Sequence, residues 1–221
     1  MQSKTILRGD KMFVKSVMIP KISCYTIEHE KSVKEALEKL EFHQVDALPV
    51  LEGDYYVGIV TRYAIYENFF SSEKTKEQYL ENTKVKEIVK QQDHYFMGDE
   101  IFEITLLSLK DFPLFAVLDE NKKFLGIVTR FDVLAQFESA FGVNRAGVRI
   151  AITSSEAEGR IARLSEIAQD FHEQIISLVT FDETDKLIRR MVVKVEKNEN
   201  TKKFIARLED SGFRILDIKE D

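Results

Sequence analysis

Cysteine occurs once in this 221-residue chain, at Cys24, so no internal disulfide can form, and that usage fits a reducing cytoplasm. Proline occurs three times and glycine nine times, which leaves little room for low-complexity linkers. No apolar run approaches the ~18 to 20 residues that a bilayer-spanning helix needs. The amino-terminal stretch also lacks the apolar core and cleavage site of a secretory signal. Positive charge is in deficit: the net charge of −6 argues against a nucleic-acid binder, which would present a basic face. Neither a membrane nor a nucleic acid is therefore expected as a partner. The histidines at 29, 43, 94 and 172 show no metal-ligand spacing and have no cysteine pair beside them, so neither metal nor cofactor is expected. Glu28 and Glu30 sit in a charged turn that requires no catalytic role. No residue set for catalysis emerges, and a non-enzyme is expected.

What is present is a repeat. "GIVTR" occurs at 58–62 and again at 126–130, inside a longer match of 47–69 with 114–137. A helix pattern lies upstream of each, at 32–43 and 100–111; in the first, Val33, Ala36, Leu37 and Leu40 share one face. Strand-like pieces precede these helices at 24–27 and 94–97, and apolar runs at 47–51, 56–60, 114–118 and 124–128 read as strands. The stretch 141–147 is the best linker, and the remainder breaks the repeat. It reads strand 148–152, helix 159–171, strands 175–181 and 187–195, helix 201–210 and strand 213–218, the βαββαβ order of a ferredoxin-like split βαβ. Thr201 and Gly212 read as the N-cap and C′ residue of the last helix. The first eleven residues show no period and precede Met12; they read as a tail, non-native or from an upstream start.

Val17-Met18, "SVKEAL", "LPV" and "GIVTR" in the first copy resemble the cystathionine β-synthase (CBS) domain, as do "VKEIV" (85–89) and "GIVTRFD" in the second. Together the copies resemble a Bateman module over about residues 13–140, although Ala116 stands where the family has proline. "TSSEAEGRIARL" (153–164) resembles the opening loop and helix of an ACT domain. The order CBS–CBS–ACT is similar to acetoin utilisation protein B and to bacterial cyclic-di-AMP-binding CBS proteins. The expectation is an α+β chain: tail 1–11, CBS domain 12–72, CBS domain 83–140 and ACT domain 147–221.

The resemblance implies a non-enzymatic, cytoplasmic regulator that binds an adenine nucleotide, cyclic-di-AMP or AMP/ATP, in crossed clefts. One cleft would join Ser23, Cys24, Tyr25 and Thr26 to Thr129, Arg130 and Asp132, with Asp132 accepting the ribose hydroxyls. A weaker second cleft would join His94, Tyr95 and Phe96 to Thr61 and Arg62, with Ala64 in the place of the acceptor. An arginine fork suits phosphate oxygens, and helix N-termini attract anions. Each residue also has a plainer use: threonine as an N-cap, arginine as a solvated charge, Asp132 as a complement to the helix dipole. The ACT loop, with Ser154, Ser155, Glu158 and Gly159, implies a small carboxylate ligand or, better, pairing into a homodimer. The competing expectation is a scaffold with empty clefts that docks an unknown protein partner.

Overall fold

The structure, a computed structural model, describes residues 13–110, 112–155, 158–182 and 188–221; the tail expected at 1–11 lies outside them. The chain forms two compact units, one ending at Leu134 and the other spanning Ala135–Asp221.

The first unit opens with α1 (Val14–Val17), β1 (Ile19–Pro20) and a 3-10 turn (Lys21–Ser23). The first repeat follows as β2 (Ile27–Glu28), α2 (Val33–Phe42), β3 (Ala47–Glu52), β4 (Tyr55–Thr61) and α3 (Arg62–Phe70). Then come α4 (Lys76–Asn82), a 3-10 turn (Val85–Glu87) and the second repeat: β5 (Tyr95–Phe96), α5 (Ile104–Ser108), β6 (Leu114–Leu118), β7 (Phe124–Thr129) and α6 (Arg130–Ala140), whose residues from Ala135 on are counted in the second unit. α2 starts where Ser32 and Glu35 form a reciprocal capping box, and it buries Val33, Ala36 and Leu40 against β3 and β4. α4 lies between the two repeats; its own box, Thr75 with Gln78, starts it, and buried Tyr79 donates its hydroxyl to Ile65 O at 3.0 Å.

Two expectations contract. The strands expected at 24–27 and 94–97 shrink to β2 and β5, because Cys24–Thr26 run beside no partner strand while the Cys24 thiol turns back onto Ile19 O and Pro20 O. The helix expected over 100–111 is only α5. Its N-cap Glu103 makes no capping bond, and the Thr105 hydroxyl donates to Phe102 O, a local bond that competes with helix extension.

The sheets run β2-β3-β4 and β1-β7-β6-β5, so the segment leading into the first repeat adds a strand to the sheet of the second. Ile19 and Pro20 pair antiparallel with Ile127 and Gly126. The segment leading into the second repeat does the converse: Lys90 exchanges backbone bonds with Ile59 of β4, at 2.8 and 3.0 Å. This crossing explains the glycine of both "GIVTR" motifs. A Cβ at Gly126 would stand 2.1 Å from Ile19 O, and one at Gly58 would stand 2.6 Å from Lys90 O.

The second unit carries β8 (Val148–Ser155), α7 (Arg160–Asp170), β9 (Ile175–Asp182), β10 (Ile188–Val195), α8 (Thr201–Asp210) and β11 (Arg214–Glu220). Its antiparallel sheet runs β11-β8-β10-β9, the split βαβ order expected. Val148, Ile150, Ile152, Met191 and Val193 bury one sheet face under Leu164, Ile167, Phe204 and Leu208 of the helices. Gly159, at φ 80°, is the N-cap of α7, a left-handed position that suits glycine. Thr201 is not the N-cap of α8: that place falls to Asn200, and Thr201 Oγ1 instead accepts from Asn198 N at 2.9 Å. Gly212, at φ 81°, does follow the C-cap.

Candidate functional site

In the first unit β4 runs straight into α3 and β7 straight into α6, so each Thr-Arg pair sits where a strand becomes a helix. Thr61 Oγ1 accepts from Ala64 N at 3.0 Å as an N-cap. Thr129 and Asp132 close a reciprocal box: Asp132 N donates to Thr129 Oγ1 at 3.2 Å, Thr129 N donates to Asp132 Oδ2 at 3.2 Å, and the Thr129 hydroxyl donates to the same carboxylate oxygen. The capping readings of both threonines thus describe what the side chains do in this structure.

The arginines are matched as well. Arg62 Nη2 donates to Leu40 O (2.8 Å) and Val45 O (3.2 Å), at the end of α2 and just beyond it. Arg130 donates from Nε to Leu109 O (3.0 Å) and from Nη2 to Lys110 O and Phe112 O (both 3.3 Å), just past α5. Each guanidinium ties the carboxyl end of its repeat's first helix to the amino end of its last; Leu40 O accepts from Val45 N at 3.1 Å as well as from its arginine. Arg62 Nε is buried without a partner among the described residues.

Two cavities flank these junctions. One, of about 560 Å³, is lined by Ser23, Cys24 and Tyr25 from the lead-in to β2 and by Thr129 and Arg130 from the second repeat. Ile19, Ala47, Leu114, Ile127 and Leu134 make the remainder of its wall largely apolar. Five of the seven residues expected in that cleft therefore meet there. Thr26 and Asp132 do not line it: Thr26 offers its carbonyl to Lys39 Nζ at 2.6 Å, and Asp132 turns onto Thr129. Tyr25 stacks on His43, with ring centroids 3.7 Å apart. Burial pushes the Cys24 thiol up to about 11, which keeps it protonated and unreactive near neutral pH.

The other cavity is the larger, at about 820 Å³, although the sequence ranks it second. Thr61, Arg62 and His94 line it as expected, whereas Tyr95 packs with the Leu114–Leu118 core and Phe96 is buried against Phe115. Its wall also includes Asp46, Glu67, Lys90, Gln91 and Phe112, none of which the sequence reading singled out. The Gln91 side-chain oxygen is buried with no hydrogen-bond partner among the described residues. Asp46 and Pro113 belong to both cavities.

In the second unit a depression of about 450 Å³ brings together Ser154, Ser155, Glu158 and Gly159 with Arg160 and Arg189. Arg160 holds it structurally, with Nε on Ser154 Oγ (3.1 Å), Nη1 on Ser211 O (3.2 Å) and the guanidinium 4.0 Å over Phe213. Glu156 and Ala157 of that loop lie outside the described residues. Among the described residues no group of three histidine, cysteine or acidic side chains could hold a metal ion, and no helix is long and apolar enough to cross a membrane.

Beside the repeat, its crossed strands and the strand-to-helix Thr-Arg junctions stands a family match: residues 14–70 match the family model described as CBS domain. Among solved structures it is similar to a CBS domain-containing protein of unknown function from Bacillus anthracis, 25% identical with a TM-score of 0.52, over 58% of this chain and 94% of that one. It shares a fold with the CbpB protein of Listeria monocytogenes in complex with c-di-AMP, 22% identical with a TM-score of 0.52, over 59% of this chain and 98% of that one. Among curated proteins an uncharacterized protein of Methanocaldococcus jannaschii is 25% identical over 122 residues, 54% of this chain. The chain matches only 38% of that relative's length.

Proposed function

We propose that this chain is a cytoplasmic, non-enzymatic sensor whose two repeats form a Bateman module and bind an adenine nucleotide. The cleft is the cavity where Ser23, Cys24 and Tyr25 meet Thr129 and Arg130, and that convergence is the observation that carries the reading. An apolar wall of this size suits a purine, and Tyr25, propped by His43, offers a ring to its face. Arg130 Nη1 makes no hydrogen bond among the described residues and is the donor left for a phosphate oxygen. The fold shared with a protein crystallised with c-di-AMP supports cyclic-di-AMP as the first ligand to try, ahead of AMP and ATP.

The second unit is read as an ACT domain that pairs two chains, with amino-acid capture at the Gly159 loop as its other role. Homodimer formation also has support in the first unit. Tyr63, Tyr66 and Phe70 project at three- and four-residue spacing from α3, and Phe131 and Leu134 project from α6, all of them exposed.

Thermal shift against AMP, ATP and cyclic-di-AMP tests the sensor. At a ligand concentration 100-fold above Kd, binding adds about 2.7 kcal/mol, or a rise of about 5 to 10 °C in a chain of this size. Tyr25→Ala should shrink the rise, measured from the variant's own free melting temperature, because that temperature also falls slightly with the loss of the His43 stack. No rise with any nucleotide would favour the scaffold reading. That reading draws support from the structural employment of Arg62, Arg130 and Asp132, and it looks to an unknown protein partner.

A further inference from the structure

We infer that Asp46 determines the ligand's sugar specificity, accepting a ribose hydroxyl in the role that the family resemblance implies for Asp132. The inference rests on the nucleotide reading. Asp46 stands immediately before β3, as Pro113 stands before β6, and these two residues are the wall common to both cavities. Each of the other charged arginine, lysine and glutamate side chains on the two walls already has a protein partner, Arg130 keeping only Nη1 for a ligand among the described residues. Arg62 and Arg130 hold carbonyls, and Lys90 lies 3.8 Å from Glu67, which also accepts from the Tyr63 hydroxyl. Among the described residues the Asp46 carboxylate makes no hydrogen bond or ion pair; only its backbone oxygen is used, by Arg62 N at 3.4 Å. Its side chain is exposed, so no fold requirement holds it at this position.

An ionised carboxylate accepts and never donates, so it takes hydroxyl groups and repels phosphate oxygens. With Asp46 on the shared wall and Arg130 at the start of α6, a nucleotide is oriented with its phosphate toward the arginine and its sugar toward the acid. Asp132, which would serve as sugar acceptor by resemblance, is already bonded to Thr129 in the capping box. The 2′-hydroxyl is the group to test, since mononucleotides and 3′–5′-linked cyclic dinucleotides both keep it.

The experiment is isothermal titration of the full chain with AMP against 2′-deoxy-AMP, and with cyclic-di-AMP against its 2′-deoxy analogue. For the unaltered protein the deoxy ligand should bind about tenfold or more weakly, the scale of a hydrogen bond to a charged acceptor. Asp46→Ala should bring the ribo and deoxy ligands within about twofold of each other, and Asp46→Asn should leave an intermediate ratio. Equal binding of ribo and deoxy ligands by the unaltered protein overturns the inference and leaves the nucleotide site standing. A preference that survives Asp46→Ala and disappears in Asp132→Ala overturns it as well. If the unaltered protein binds no nucleotide at all, the site itself is refuted and this role falls with it.

Discussion

Replacing Arg62 with methionine isolates what the paired arginines do in the absence of any ligand. The substitution keeps an apolar stem of similar reach and removes the Nη2 bonds to Leu40 O and Val45 O, at 2.8 and 3.2 Å. Hydrogen bonds to a charged group contribute about 1.5 to 3 kcal/mol, with the shorter bond carrying most of it. Against that loss, methionine relieves the buried Nε that has no partner, an orphan that costs about 1 to 3 kcal/mol. The terms partly cancel: the Leu40 carbonyl keeps its bond from Val45 N at 3.1 Å, while the Val45 carbonyl loses its Arg62 donor, and a net destabilisation of about 1 kcal/mol remains. Differential scanning calorimetry should show the transition of the first unit falling by about 2 to 4 °C with no nucleotide added. Arg62→Lys should recover at most half of that, since a single ammonium cannot reproduce the fork. A variant as stable as the unaltered protein would refute the clamp and return Arg62 to the solvent or to a phosphate.

Asp132→Ala and Thr129→Ala should each cost about 1 kcal/mol in chemical denaturation, and the double variant little more than either, because both belong to one capping box. Gly126→Ala should destabilise the first unit more than any surface alanine, since its Cβ would lie 2.1 Å from Ile19 O; calorimetry beside a solvent-side control checks it. The Cys24 thiol, up near 11, should react with a disulfide reagent at pH 8 about 100-fold more slowly in the folded protein than after denaturation. Lys84 and Lys86 hold the Glu30 carboxyl down to about 2, below its unfolded value. Its contribution to stability is therefore present above the ordinary carboxylate range and lost as pH falls through that range toward 2, and Glu30→Gln should flatten this part of the acid-unfolding curve. Glu173 is the opposite case: it is buried, neither carboxylate oxygen reaches a partner at hydrogen-bonding geometry, and Thr201 and Asn198 only partly offset a rise caused by desolvation. Glu173→Gln should raise the melting temperature of the second unit near pH 7, with a smaller gain near pH 4.

Much of the architecture was legible because the repeat declares itself in apolar periodicity. Residues 47–51 and 114–118 alternate with turn formers in a way that only short buried strands satisfy, and the structure puts β3 and β6 there. α5 was overdrawn: the apolar spacing of residues 100–111 carries no signal for a hydroxyl bonding backward to Phe102 O. α4 could have been found, since Thr75 and Gln78 spell a capping box, but no apolar stripe accompanies it. Within the cleft, Ser23, Cys24, Tyr25, Thr129 and Arg130 were reached through resemblance and do line one cavity. Asp46, Lys90, Gln91 and Phe112 were missed because each lies in a short connection whose position depends on the crossing of the two repeats, which local pattern does not encode. The carbonyls that engage the arginines were invisible for a simpler reason: backbone oxygens leave no mark in a sequence.

The exchange of lead segments between the two sheets has a consequence for how the chain can be divided. A cut in the 71–75 turn would leave the upstream fragment without the 85–90 segment that pairs with Ile59, and the downstream fragment without β1. Each piece would display an open backbone edge that matches the other. Co-expressed, the fragments should find one another and rebuild the pair; expressed alone, each would offer that edge to whatever strand it meets, including a second copy of itself.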